Sequence, residues 1–367
     1  MQKNKSSKIK NIFKKGISFL LIAFIFVGAF SSYVIFDKKE LIFNKFFGKK
    51  SELQGVLNLW LISSFESGIA SKKVYFERAA LKFEKQNKGL YILIQEFKEE
   101  ELKNKLIAGE KPDIVVFSGN YTSYFSDMLI ELDKVDNQNP VIFDSARKNN
   151  TLFAYPCMIG GYILASTKSR LSNAGVKEDT CLFSNIYNLG YTKKLKKSIK
   201  NIYSVSFGAK NGNFPQIAIE NQAKQNGIKL DKNELSCVIN HDNLTGYQAY
   251  LEFCLGNSVM LIGTQRDLDR LVSREKSGRE IDFVFEYISA YSDLVDYVGV
   301  IDSEDKTRKS LSVEFAKFLV SKSMQSELSR IGLFSVLNLE EPLYSDKYFA
   351  SIEQNLKNII QVPRVFS

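Results

Sequence analysis

The pattern that most constrains the fold lies between residues 57 and 120. An apolar stretch, Leu57-Asn58-Leu59-Trp60-Leu61-Ile62, runs into the polar loop Ser63-Ser64-Phe65-Glu66-Ser67-Gly68. Phe76, Ala79, Ala80 and Phe83 then recur at the spacing of one helix face, which predicts a helix over 72–86 closed by Asn87-Lys88-Gly89. A strand over 90–95, a helix over 99–108 stopped by Gly109, and Pro112-Asp113 leading into a strand over 114–117 complete a β-α-β-α-β unit. Such units build parallel sheets, and the loops at the carboxyl ends of their strands carry ligand sites.

Upstream, Ile17 to Phe36 is 20 residues without a charge, about 30 Å of helix, which matches the hydrocarbon core of a bilayer. The run continues well past Ala29, so it reads as an uncleaved transmembrane signal-anchor; the alternative is a cleaved signal peptide with Val27-Gly28-Ala29 as its small-residue site. No Cys precedes Cys157, which excludes a lipid-bearing signal. The basic tail, residues 1–16, resembles a signal n-region and leaves the N-terminus inside. Residues 37–53 form a Lys-rich linker. Everything beyond it is expected on the extracellular side of the cell membrane, held by this single pass.

The net charge of +9 sits in those flanks: six lysines and no acid in residues 1–16, and a net +3 in residues 37–50. Residues 51–367 are neutral in sum, which removes the electrostatic footprint of a nucleic-acid binder. The local run Lys193-Lys194-Leu195-Lys196-Lys197 reads as a solvated helix face.

Catalytic chemistry is poorly supplied. His241 is the single histidine, and there is no G-x-S-x-G, no phosphate-cradling loop and no H-E-x-x-H. Cys157, Cys181, Cys237 and Cys254 are scattered; they allow up to two disulfides in any of three pairings and fit no zinc spacing. No catalytic set, metal site or cofactor is therefore expected. The remaining enzyme reading is a nucleophilic Cys157, which needs a base or a helix N-terminus to lower its pKa. Strand-end loops are the better candidates, through Ser63, Ser64 and Glu66 after the first strand and Ser118, Gly119 and Asn120 after the strand over 114–117. Trp60, Tyr121, Tyr124, Tyr155 and Tyr162 are rings that either stack on a sugar face or fill the core.

Further along, Phe153-Ala154-Tyr155-Pro156 and Gly160-Gly161-Tyr162-Ile163-Leu164-Ala165 open a second unit. A helix over 247–253, a strand over 259–262 and a helix opened by Thr264 with Asp267 as a capping box follow, and residues 311–332 read as an amphipathic helix pair closed by Gly332.

With these pieces in order, the chain resembles the extracellular solute-binding proteins of ABC importers, in their sugar-binding, maltose-binding-like branch. The matching residues are Leu59-Trp60, Phe83-Glu84-Lys85, Leu106-Ile107-Ala108-Gly109 with Pro112-Asp113-Ile114, Tyr155-Pro156 with Gly160-Gly161-Tyr162, residues 253–263 (FCLGNSVMLIG), and Ala316-Lys317-Phe318-Leu319 with Gln325 and Gly332. No Thr-Trp-Asp step follows Gly175, and Thr167 stands where the family has Asn near the end of the crossing strand.

The resemblance implies an α/β, two-lobed periplasmic-binding-protein-like fold of type II behind the transmembrane helix. Lobe 1 would take residues 54–155 with about 292–335, and lobe 2 residues 156–291 with about 336–367. It implies a small-molecule solute, carbohydrate first, handed to the membrane subunits of an ABC importer by hinge closure, with no nucleic-acid partner. The alternative is a member that no longer transports and serves as an envelope scaffold or sensor partner, which an anchored domain with a single tryptophan also fits. Carried over, the ligand would touch Ser63, Ser64, Glu66, Ser118, Gly119, Asn120, Gly160, Gly161, Gly263, Thr264 and Gln265. Glu66 and Gln265 reach furthest from their loops and are the expected hydrogen-bond partners of hydroxyls.

Overall fold

The computed structural model describes residues 55–176, 203–228, 244–278 and 282–366. Residues 1–53, the Lys193–Lys197 run, His241, Cys181 and Cys237 lie outside them, and with them the expected anchor and linker. Among the described residues no helix is long and apolar enough to cross a membrane.

The predicted β-α-β-α-β unit is present. β1 (Gly55–Ile62), α1 (Lys72–Gln86), β2 (Leu90–Glu96), α2 (Glu99–Ile107) and β3 (Ile114–Ser118) follow in order. β1 pairs in parallel with β2 and with β3, so the carboxyl ends of the three strands lie on one edge. β4 (Tyr155–Ile159) enters the same sheet, and Gly160-Gly161 leads directly into β5 (Tyr162–Thr167) of a second sheet.

That second sheet is completed by β6 (Tyr203–Ser206), β7 (Ser258–Thr264) and β8 (Phe283–Tyr287), in the order β8-β5-β7-β6. Among the described residues its longer helices are α3 (Pro215–Gln225), α4 (Gly246–Cys254) and α5 (Gln265–Lys276). β9 (Val295–Val300) returns to the first sheet, whose order becomes β2-β1-β3-β9-β4, with β9 antiparallel to both neighbours. α6 (Lys306–Leu319) and α7 (Lys347–Lys357) follow.

Two short crossings bind the sheets side by side. Gly160 N–H donates to Leu294 O (2.7 Å), Ile288 N–H to Tyr162 O (3.1 Å), and Ser292 Oγ to Gly160 O (2.9 Å). A Cβ at Gly161 would sit 2.5 Å from Ile352 Cγ2 on α7, so the crossing needs a bare backbone there. Asp293 accepts Tyr162 O–H (2.6 Å) and Phe214 N–H (2.6 Å), and burial raises its carboxyl pKa against those two donors.

The first lobe is cored by rings from α1 and α6, with Phe83 and Phe315 5.2 Å apart and edge-to-face. Asp113 of the Pro-Asp step is structural: Oδ2 accepts Asn58 N–H (2.7 Å) and Arg308 Nη2 (2.8 Å), which locks β1 to α6. Gln325 is likewise internal, donating to Cys157 O (2.8 Å) and accepting Val336 N–H (3.0 Å).

The predicted capping box forms at α5: Thr264 Oγ1 accepts Arg266 N–H (3.3 Å) and Asp267 Oδ2 accepts Thr264 N–H (3.0 Å). The expected helix pair over 311–332 differs. α6 starts earlier because Asp305 caps it by accepting Arg308 N–H (3.0 Å). The second member shrinks to a single turn, Lys322–Gln325, and a 3-10 turn, Ser326–Ile331, stopped by Gly332 at φ 71°.

Gly68 and Gly332 meet backbone to backbone; a Cβ on Gly68 would lie 2.6 Å from Gly332 O. Gly68→Ala is expected to cost about 1–3 kcal/mol in urea unfolding, the usual range for forced overpacking. Gly246→Ala, where the added Cβ meets nothing within 4 Å, is expected to be neutral or stabilising by about 0.5 kcal/mol. Equal effects at both positions would contradict this packing.

Candidate functional site

The carboxyl ends of β1, β2 and β3 face the second lobe, and beneath them lies a buried ion pair. Lys72 Nζ, on the first turn of α1, is 2.6 Å from Asp296 Oδ2 in β9, with the side chains 6% and 0% exposed. Lys72 also donates to Ser63 Oγ (2.5 Å), and its ammonium sits 3.2 Å from the centre of the Phe65 ring. Asp296 Oδ1 accepts Ser118 Oγ (2.5 Å) and lies 3.1 Å from Ser63 Oγ; Ser118 Oγ in turn accepts Ser64 N–H (2.9 Å). Burial lowers the Lys72 pKa, and the Asp296 charge beside it opposes that shift. Ser63 and Ser118 are thus held by protein partners.

A second group of bonds crosses between the lobes. Gln265 is fully buried; its Oε1 accepts Gly161 N–H (3.1 Å) and its Nε2 donates to Glu66 O (2.7 Å). Arg266 donates to the carbonyls of Gly68 (2.8 Å) and Ile69 (3.1 Å). The Glu66 carboxylate pairs with Arg270 (2.9 Å), which also pairs with Asp267 (3.0 Å). Further out, Ser64 Oγ donates to Asn213 Oδ1 (2.8 Å), Asn213 Nδ2 returns a bond to Ser64 O (3.1 Å), and Asn120 Nδ2 donates to Asn211 O (3.3 Å).

Around these bonds the cleft holds two adjoining cavities of about 900 and about 420 Å³, whose walls share Ser63, Ser64, Glu96 and Asn211. The larger is walled by Glu96–Glu99 and Tyr121 on one side and by Lys210, Asn211 and Gly212 on the other. Among the described residues no group of three or more His, Cys, Asp or Glu is placed to hold a metal ion.

Of the residues predicted from sequence, Ser63, Ser64, Glu66 and Asn120 line these cavities, and Ser118 lies buried under them. Gly119 packs against Val365, and Gly160 and Gly161 form the crossing. Gly263 ends inside β7, Thr264 caps α5, and the two longest expected readers, Glu66 and Gln265, have Arg270, Gly161 and the 66 carbonyl as partners.

The sequence reading missed the loop after β2. The rule that picked the loops after β1 and β3 applies equally there, since all three strands are parallel. Asn211 and Gly212, on the opposite wall, likewise carry no motif that marks them. Trp60 is 3% exposed and packs edge-on against Phe97 at 5.3 Å, so it is core. Tyr155 and Tyr162 are buried too, which leaves Tyr121 as the tyrosine on the larger cavity. Cys157 is fully buried, its Sγ donating to Asp296 O (3.3 Å); burial pushes the thiol pKa up and holds it in the unreactive form.

Lys72→Met strands a buried carboxylate and is expected to cost about 3–5 kcal/mol in urea unfolding. Adding Asp296→Asn to it should recover a large part of that loss. A single-variant cost below about 1 kcal/mol would place the pair in the class of solvent-screened surface bridges.

No family model and no curated protein matches the sequence. Solved structures do match the fold. Maltose-bound MalE3 of T. maritima has a TM-score of 0.60 at 13% identity, covering 84% of this chain and 90% of that one. An ABC substrate-binding protein of Listeria monocytogenes in complex with cycloalternan has a TM-score of 0.56 at 13% identity, covering 84% and 88%. Thiaminase I from Bacillus thiaminolyticus, an enzyme by name, has a TM-score of 0.57 at 13% identity, covering 84% and 95%. At such identities the likeness is one of fold, and the chain has the two-lobed α/β fold of these sugar-binding and ABC substrate-binding proteins.

Proposed function

We propose that this protein is a solute receptor that closes its two lobes around a hydrophilic ligand, a sugar or oligosaccharide in the first instance, and presents it to the membrane subunits of an ABC importer. The observation that carries the reading is the cavity of about 900 Å³ between the lobes, walled by polar side chains from both. A ligand there bridges the lobes and so binds the closed form better than the open one, which is the condition for hinge closure. The fold neighbours bind maltose and cycloalternan in the same architecture. Residues 17–36 would hold the receptor on the extracellular face of the membrane, with residues 37–53 as its tether.

One observation favours the second reading, a scaffold or sensor partner without transport. The cleft is already spanned by the protein's own bonds, Ser64 to Asn213 and Gln265 to the Glu66 carbonyl. A receptor must exchange some of these for ligand contacts, whereas a scaffold keeps them.

A thermal-shift screen on the full chain in detergent separates the two. A solute at about 100 times its dissociation constant adds about 2.7 kcal/mol of stability, a readily measured rise in melting temperature. No shift with any sugar, peptide or polyol favours the scaffold. Protease added to intact protoplasts is expected to remove the folded lobes; complete protection would reverse the proposed topology.

A further inference from the structure

The charges on the larger cavity are unequally partnered. Six charged side chains line it: Lys73 from α1, Glu96 from the end of β2, Lys98 from the loop after it, Glu99 and Glu101 from the start of α2, and Lys210 from the second lobe. Two of the three carboxylates already have partners, one of them a cation. Glu99 pairs with Lys103 (2.7 Å) and accepts Tyr124 O–H (3.0 Å), contacts that hold its pKa below the usual range. Glu101 accepts Lys98 N–H (2.9 Å) at the positive end of the helix. Beneath them Lys72 and Asp296 cancel one another.

The ammonium groups of Lys73, Lys98 and Lys210 have no hydrogen-bond or ion-pair partner among the described residues, and the same holds for the Glu96 carboxylate alone among the acids. Three unpaired cations therefore face one carboxylate without a partner, Glu96, and a second, Glu101, held only by a backbone N–H, in a concave space whose lining charges act together on the occupant. The cations come from three separate segments and both lobes, so an anionic group placed between them is gripped on closure rather than at a single surface point.

We infer that the ligand of this cavity is an acidic hydroxylated solute, carrying a carboxylate or phosphate that Lys98 and Lys210 reach from opposite lobes, rather than a neutral sugar. Tyr121 and Asn120, on the same wall, supply a ring face and an amide for the hydroxylated part. The inference rests on the cavity being the solute site.

Calorimetric titration of the full chain in detergent with trigalacturonate, glucose 6-phosphate and maltotriose tests it. At least one acidic probe should bind tighter than maltotriose by about tenfold or more, the value of one charge-assisted bond. Its affinity should fall several-fold between about 20 and about 300 mM salt, as the Debye length shrinks. Lys98→Gln and Lys210→Gln should each weaken the acidic probe by about tenfold, leave maltotriose unaffected and keep the melting temperature of the free protein. Which acidic probe binds distinguishes a carboxylate from a phosphate. Maltotriose binding as tightly as both acidic probes, without salt dependence, overturns the inference and leaves the receptor reading standing. Binding of none of the three overturns the cavity as a solute site, and the inference with it.

Discussion

The Lys72–Asp296 pair is the interaction on which the candidate site depends. Two charges are withdrawn from water at a separation of 2.6 Å, an arrangement that is tolerable only if the remaining donors and acceptors are filled. Ser63, Ser118 and the Phe65 ring fill them, and through Ser118 the bond network reaches the backbone of Ser64. One ion pair thereby ties α1, β3, β9 and the loop after β1 into a single rigid floor. From that floor Ser64 reaches Asn213 and Glu66 reaches Arg270, both of the second lobe.

The opposing lobe meets the floor through α5. Its N-terminal residues act by position along the helix: Gln265 is buried and grips both the crossing and the 66 carbonyl, Arg266 takes the Gly68 and Ile69 carbonyls, and Arg270, one turn on, takes the Glu66 carboxylate. Because Gln265 bonds to Gly161 within the crossing itself, separation of the lobes is coupled to that amide. The Ser64–Asn213 bridge lies apart from that clasp, and Ser64 also lines the larger cavity, on which the unpaired lysines stand.

Much of the fold was legible in the sequence because it is written in local patterns. The α1 face of Phe76, Ala79, Ala80 and Phe83, the Thr264 capping box and the parallel unit all depend on neighbours a few residues apart. The roles of Ser63 and Ser118 were not legible, because each is decided by Asp296, which lies far along the chain. A signal did exist: Asp296 is the one acid in the apolar strand Val295–Val300, and a carboxylate there demands a buried cation. Gln265, which the family resemblance offers as a ligand contact, spends its amide on Gly161 N–H and the Glu66 carbonyl, and the sequence cannot show which backbone groups a buried side chain must satisfy. The lysines of the cavity escaped notice for the opposite reason, since an exposed Lys in a loop has no pattern until the lobes are brought together.

The central claim is that two lobes, joined at Gly160-Gly161 and clasped by Gln265 and Asn213, open and close around the cavity. The most direct measurement is the distance between fluorophores at Tyr91 and Leu255, both well exposed and carried by different lobes. The account predicts a single short distance in the free protein. It predicts a longer and broader distribution when Asn213→Ala and Gln265→Ala are combined, and a return to the short distance when a binding solute is added to that variant. An unchanged distance in the double variant, with and without solute, would mean that the lobes form one rigid body, and would contradict the account.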